Sequence, residues 1–96
     1  MYKIIIKPLA RNDIKGIWRY TYNNWGIGQA DSYTKELGAA IESLVTNPKI
    51  GFAIDNIRIG YRVFRFKHHL VVYYLADELI EINRVLGEKM DPRIHI

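Results

Sequence analysis

The chain contains no cysteine. That excludes disulfide bonds and thiolate chemistry and suits a reducing compartment. No apolar run reaches membrane-spanning length, and the opening MYKIIIKPLARND is too short in apolar residues for a secretory leader, so a cytoplasmic protein is expected. The only serines, Ser32 and Ser43, fall in one helical pattern, which leaves a Ser-His-Asp triad without support. No glycine loop of the phosphate-cradling kind is present. Histidine is scarce: His68, His69 and His95. Neighbouring histidines on a strand point to opposite faces, so no metal site and no cofactor are expected. Acidic residues are missing from the whole stretch between Asp55 and Asp77.

What remains is a chain of 96 residues, 49% hydrophobic and 25% charged, with formal net charge +4 and a pI near 9.4. This is one globular domain, residues 1–96, with a core that is not deep. The basic balance favours an acidic partner, nucleic acid or protein; plain solubility is the alternative reading.

Periodicity gives the order of elements. Tyr2–Ile6 reads as a strand. Pro8 suits a helix start, and Leu9, Ile14, Ile17, Trp18, Thr21, Tyr22 and Trp25 draw one stripe along that helix. Arg11, Lys15 and Arg19 recur every four residues on another face, and Gly26 supplies a left-handed cap. A second helix carries Ala30, Tyr33, Leu37, Ala40, Ile41, Leu44 and Val45, with Gly38 at a position of expected close helix packing, and Asn47-Pro48 stops it. After a loop over 48–60 come three strands, Tyr61–Phe66, Leu70–Ala76 and Leu79–Leu86, joined at Lys67-His68-His69 and Asp77-Glu78. The tail GEKMDPRIHI has little strand or helix character. The fold class is α+β, in the order β-αα-βββ, with a helical hairpin packed on one face of a mostly antiparallel sheet.

The basic strand GYRVFRFK poses the main question. Arg62 shares a face with Phe64 and Phe66; Tyr61, Val63, Arg65 and Lys67 share the other. With the phenylalanines inward, Arg62 lies at the rim of the core, and Arg65 and Lys67 face solvent. Arg84 falls in phase with Ile80 and Ile82. A buried arginine needs a carboxylate or carbonyl, and Asp55 and Asp91 are the candidate carboxylates. The alternative is a positive cleft open to an anionic partner. Trp18, Tyr22, Trp25 and Tyr33 are likewise either core or an apolar groove for a partner's amphipathic helix. The sheet edge offers a second docking device, for a partner strand.

Read in order, PLA..DI..I, WG..QA..Y, NP..G, IR.GYR.F, VVYY and VL..KMDPR.H resemble the ParE toxins of the RelE/ParE superfamily over nearly the whole chain. The resemblance implies a RelE/ParE-like fold and one half of a toxin–antitoxin module. It implies a ParD-like antitoxin wrapped around the helical hairpin and sheet, and DNA gyrase as the target, trapped on cleaved DNA. Membrane binding and sequence-specific reading of nucleic acid are not expected. RelE relatives instead cut messenger RNA on the ribosome. For that chemistry Arg62, Arg84 and His95 are the candidates here, yet an acid–base pair is incomplete. ParE-like sequences often carry histidine where this chain has Gly87, and Glu88 serves only if something holds it. A non-toxic paralogue that merely titrates antitoxin is the third reading. The expectation is a binding toxin and not an enzyme. Arg58, Arg65, Lys67, Lys89, Met90 and Arg93 are assigned to the target, and Trp18, Tyr22, Trp25, Tyr33 and Arg62 to the antitoxin.

Overall fold

A computed structural model describes residues 1–96. The isoleucine run forms strand β1, Lys3–Ile6. Pro8 opens helix α1, Pro8–Trp25, where its missing N–H costs no hydrogen bond. Gly26 ends it with φ +88° and ψ 176°, a glycine-favoured φ but extended rather than left-handed helical backbone. Helix α2, Ile27–Glu42, follows at once and runs on as a short 3-10 turn, Ser43–Val45. Then come β2 (Phe52–Ala53), β3 (Tyr61–Phe66), β4 (His69–Ala76) and β5 (Leu79–Gly87). A short helix α3, Pro92–His95, closes the chain, capped by the Asp91 side chain, which accepts from the Arg93 N–H.

The sheet order is β1-β5-β4-β3-β2. β2 through β5 pair antiparallel, whereas β1 runs parallel to β5, so the sheet is mixed. The helical hairpin makes the crossover that a parallel pair requires. The two-residue strand β2 within the 48–60 loop and the short helix in the tail are elements the sequence pattern did not give. His69 belongs to β4, and the turn is Lys67-His68 alone, with Lys67 at φ +50°.

The core lies between helices and sheet. Ala10, Ile17, Tyr33, Leu37, Ile41 and Leu44 pack on Val71, Tyr73, Ile80, Ile82 and Val85. On α1 the buried stripe is Ala10, Ile17 and Thr21, with Ile14 half-buried. Leu9, Tyr22 and Trp25 fall outside it and are exposed, because small residues at 10 and 21 bring the helix close to its neighbours on that side. Gly38 is not a close-packing residue: a Cβ built there meets nothing within 4 Å. On the far face of the sheet Val63, Val72 and Leu86 form a second cluster, with Ile54, Tyr61, Leu70 and Ile96 against it.

A bulge in β5 decides where Arg84 points. Val72 pairs with Arg84 but Tyr73 with Ile82, so Asn83 is left over. Beyond it the alternation flips, and Arg84 is in phase with Leu86 rather than with Ile80 and Ile82. The simple two-residue period fails there for that reason.

Candidate partner-binding surfaces

The positive strand is largely answered from within the chain. Arg62, in register with Tyr73 on the helix side, donates through Nε to the Gly51 carbonyl at 3.0 Å and through Nη2 to the Lys49 carbonyl at 3.3 Å. Neither Asp55 nor Asp91 is its partner: Asp55 accepts the Gly60 N–H, and Asp91 pairs with Arg93. The same loop is fastened by Tyr73, whose hydroxyl donates to the Pro48 carbonyl at 2.6 Å and accepts the Gly51 N–H at 3.1 Å.

Arg84 is tied to α1. Its Nε and Nη2 donate to the two Asp13 carboxylate oxygens at 2.8 and 3.0 Å, and its Nη1 to the His95 carbonyl at 3.0 Å. Asp13 also accepts the Val85 N–H at 2.9 Å, on the stretch of β5 past the end of β1. The hydrogen bonds to Asp13 raise the guanidinium pKa further. Asp13 is the single acid of α1. Its place beside Ile14 and Ile17 was the available signal that it faces inward.

At the β3–β4 turn a second network gathers residues far apart in sequence. Glu88 accepts from Arg65 Nη2 and lies 2.8 Å from His68 Nδ1, and its backbone N–H donates to the His68 carbonyl. The hydrogen bond from His68, then the Arg65 charge, hold its carboxyl below the usual range. Glu88 is thus held, but as a clamp between the turn and the end of β5. Lys67 donates to Glu36 on α2 at 2.6 Å, which lowers the Glu36 carboxyl in turn, and sits over the Tyr33 and Phe66 rings. Below it Tyr33 Oη and His69 Nδ1 share a hydrogen bond of 2.7 Å. Burial pushes the Tyr33 hydroxyl up and the His69 imidazole down, the latter helped by the charge of His68.

An open cleft of about 350 Å³ lies over this pair, lined by Tyr20, Trp25, Gln29 and His68 among others. The four aromatics singled out in the sequence therefore split. Tyr33 is buried and reaches the cleft from its floor. Trp25, 65% exposed, meets Tyr20 edge-on at the rim. Trp18 is half-buried, donates from Nε1 to Asp31 on α2 at 2.9 Å, and meets the Tyr22 ring at a tilt of 51°. Tyr20 and Gln29 were not in the expected set.

The residues assigned to the target also divide. Arg65 and Lys67 are ion-paired as above. Arg93 is tied to Asp91. Met90 lies under the end of β5, its sulfur accepting the Gly87 N–H at 3.2 Å, and a Cβ at Gly87 would meet that sulfur at ordinary contact distance. Lys89 and Arg58 form no ion pair; Arg58 covers the Tyr61 ring and lines a shallow pocket with Arg84 and His95. Of the three ribonuclease candidates, Arg84 and His95 meet, while Arg62 is turned to the helix side two strands away from β5. No group of three or more histidine, aspartate or glutamate side chains is placed to hold a metal.

The model of the ParE toxin of the parDE type II toxin–antitoxin system matches residues 4–92. The chain belongs to the ParE toxin family. It is similar to Toxin ParE1 of Mycobacterium tuberculosis, 39% identical over 90 residues, which is 93% of this chain and 92% of that one. Among solved structures it resembles a chain of the chromosomal ParDE system from P. aeruginosa, with TM-score 0.79 at 16% identity over 91% of this chain and 96% of that one. It also resembles a chain of the YoeB–YefM complex from Staphylococcus aureus, with TM-score 0.55 at 22% identity over 90% and 95%. The β-αα-βββ order read from the sequence is thus the RelE/ParE-like fold of a ParE toxin. No helix is long and apolar enough to cross a membrane.

Proposed function

We propose that this ParE toxin poisons DNA gyrase by holding it on cleaved DNA, acts as a binding protein and not as a nuclease, and is neutralised by a ParD-like antitoxin. One observation carries the choice between gyrase poison and ribonuclease. The arginines that a ribonuclease needs for a charged phosphorane are committed inside the fold, Arg62 to two carbonyls and Arg84 to Asp13. An acid–base pair beside them is lacking as well: Gly87 has no side chain, and Glu88 is engaged by Arg65 and His68. Family membership supports the toxin role, and the solved relatives come from toxin–antitoxin pairs, which supports an antitoxin partner.

In this reading the antitoxin lies along the hairpin, over Trp18, Tyr22 and Trp25 and into the cleft above Tyr33. The target meets Arg58, Lys89, Met90 and the outer rim of β3 with Arg65 and Lys67. Induction of the chain without antitoxin tests the choice of target. DNA synthesis, followed by labelled thymidine, should stop well before labelled leucine incorporation falls. Loss of protein synthesis first, with cut messenger RNA, would favour the ribonuclease reading. Unimpaired growth from folded protein would favour the antitoxin-titrating paralogue.

A further inference from the structure

β1 is the last strand at its side of the sheet, with no strand beyond it. The Lys3 N–H donates to the Glu78 carbonyl at 2.8 Å and the Lys7 N–H to the Ile82 carbonyl at 2.9 Å. By the alternation of a parallel pair, Lys3, Ile5 and Lys7 turn their backbone groups to β5, and Ile4 and Ile6 turn theirs outward. The Ile6 carbonyl is already taken, by Arg11 Nε at 3.1 Å. The Ile4 N–H and C=O and the Ile6 N–H have no strand to pair with. The opposite edge offers no such row. β2 is two residues long. Before it the Gly51 N–H and C=O bond to the Tyr73 and Arg62 side chains, and after it the Ile54 carbonyl accepts the Ile57 and Arg58 N–H groups.

We propose that the β1 edge takes up an extended segment of the antitoxin as an added strand, with acidic residues set opposite Lys3 and Lys7. An outward row of backbone donors and acceptors is matched by another extended peptide. The side chains select which one. Ile4 and Ile6 pack toward the helices, so Lys3, Ile5 and Lys7 share the far face. Both lysines are exposed and enter no ion pair, although Glu81 stands in register with Ile5 on that face. A second copy of the chain is a poor occupant. The antiparallel register that uses Ile4 and Ile6 of both copies sets Lys3 of each opposite Lys7 of the other, and like charges directly opposite destabilise a strand pair. The same lysines favour a strand with an acid at each end, an apolar residue midway and one residue of any kind between each. Its apolar member would cover Ile5, which is 37% exposed. The inference rests on the antitoxin reading above and adds the sheet edge to the hairpin contact.

The test compares amide exchange, read residue by residue, in the free chain and in its purified complex with the ParD-like antitoxin. In the free chain the Ile4 and Ile6 amides should exchange faster than those of Ile5 and Lys7, which bond to β5. In the complex Ile4 and Ile6 should slow by about tenfold or more, and Ile5 and Lys7 by much less. Lys3→Glu/Lys7→Glu should weaken antitoxin binding by about tenfold, while Lys3→Arg/Lys7→Arg should leave it unchanged. A complex in which Ile4 and Ile6 exchange as before, equal slowing of all four amides, or full affinity in the glutamate variant would each overturn this inference and leave the antitoxin reading standing. Failure of the chain to form any complex with the antitoxin would overturn both.

Discussion

Replacing Asp13 with alanine removes three hydrogen bonds at once, two from Arg84 and one from the Val85 N–H, all at 2.8–3.0 Å. The pair is mostly shielded from solvent, with 19% of the Arg84 side chain and 16% of the Asp13 side chain accessible. Breaking a fully buried pair from one side costs about 3–5 kcal/mol, because a charge is left without its partner. Partial access to water and the surviving bond from Arg84 to the His95 carbonyl place Asp13→Ala near the lower end, about 3 kcal/mol. For a domain of this size that shifts the midpoint of thermal unfolding by about 12–24 °C. Arg84→Met should cost less, since Asp13 still accepts the Val85 N–H. The double variant should be at least about 1 kcal/mol more stable than the sum of the singles predicts, because the second change removes the orphaned charge. Urea unfolding of the four proteins measures this directly. A cost below about 1 kcal/mol for Asp13→Ala, or strict additivity of the two changes, would refute the claim that this pair fastens α1 to β5.

Three further outcomes follow from other contacts. Tyr73→Phe should cost about 1–3 kcal/mol in urea unfolding, because it orphans the Gly51 N–H and the Pro48 carbonyl, and amide exchange should rise over residues 49–53. His69 has its pKa lowered in the fold, so the unfolded chain binds its proton more readily. Its contribution is therefore constant above the unfolded value of about 6.5 and turns against folding as pH drops from there through the lowered folded value; His69→Gln should flatten that part of the stability–pH curve. Gly38→Ala should stabilise the chain by about 0.5–1 kcal/mol, since a Cβ there meets nothing and alanine favours helix; a destabilised variant would show that the surroundings of residue 38 are misjudged.

Local signals made much of this legible. The 3.6-residue stripes gave both helices, the apolar run LVVYYLA gave the central strand, and the alternation around Phe64 put Arg62 on the helix side and Arg65 on the other. Three kinds of feature stayed out of reach. β2 is two residues long and exists only through its pairing with Val63 and Arg62. The parallel pairing of β1 with β5 depends on the crossover direction, which no residue type encodes. The bulge at Asn83 reverses the phase of Arg84, and its trace in the pattern is slight: the core-facing apolar positions shift from Ile80 and Ile82 to Val85. Site partners were harder still, because Arg84 and Asp13 stand 71 residues apart and Tyr33 and His69 stand 36 apart. Such pairs are fixed by packing, and only the inward position of Asp13 on its helix hinted at one.

The most direct test of the account uses purified, antitoxin-free protein with gyrase, ATP and supercoiled plasmid, denatured and resolved for protein-linked cut DNA. The account predicts cut DNA that rises with the amount of toxin and disappears when antitoxin is added. Intact plasmid at every dose, from folded protein that still binds antitoxin and cuts messenger RNA on translating ribosomes, would contradict it.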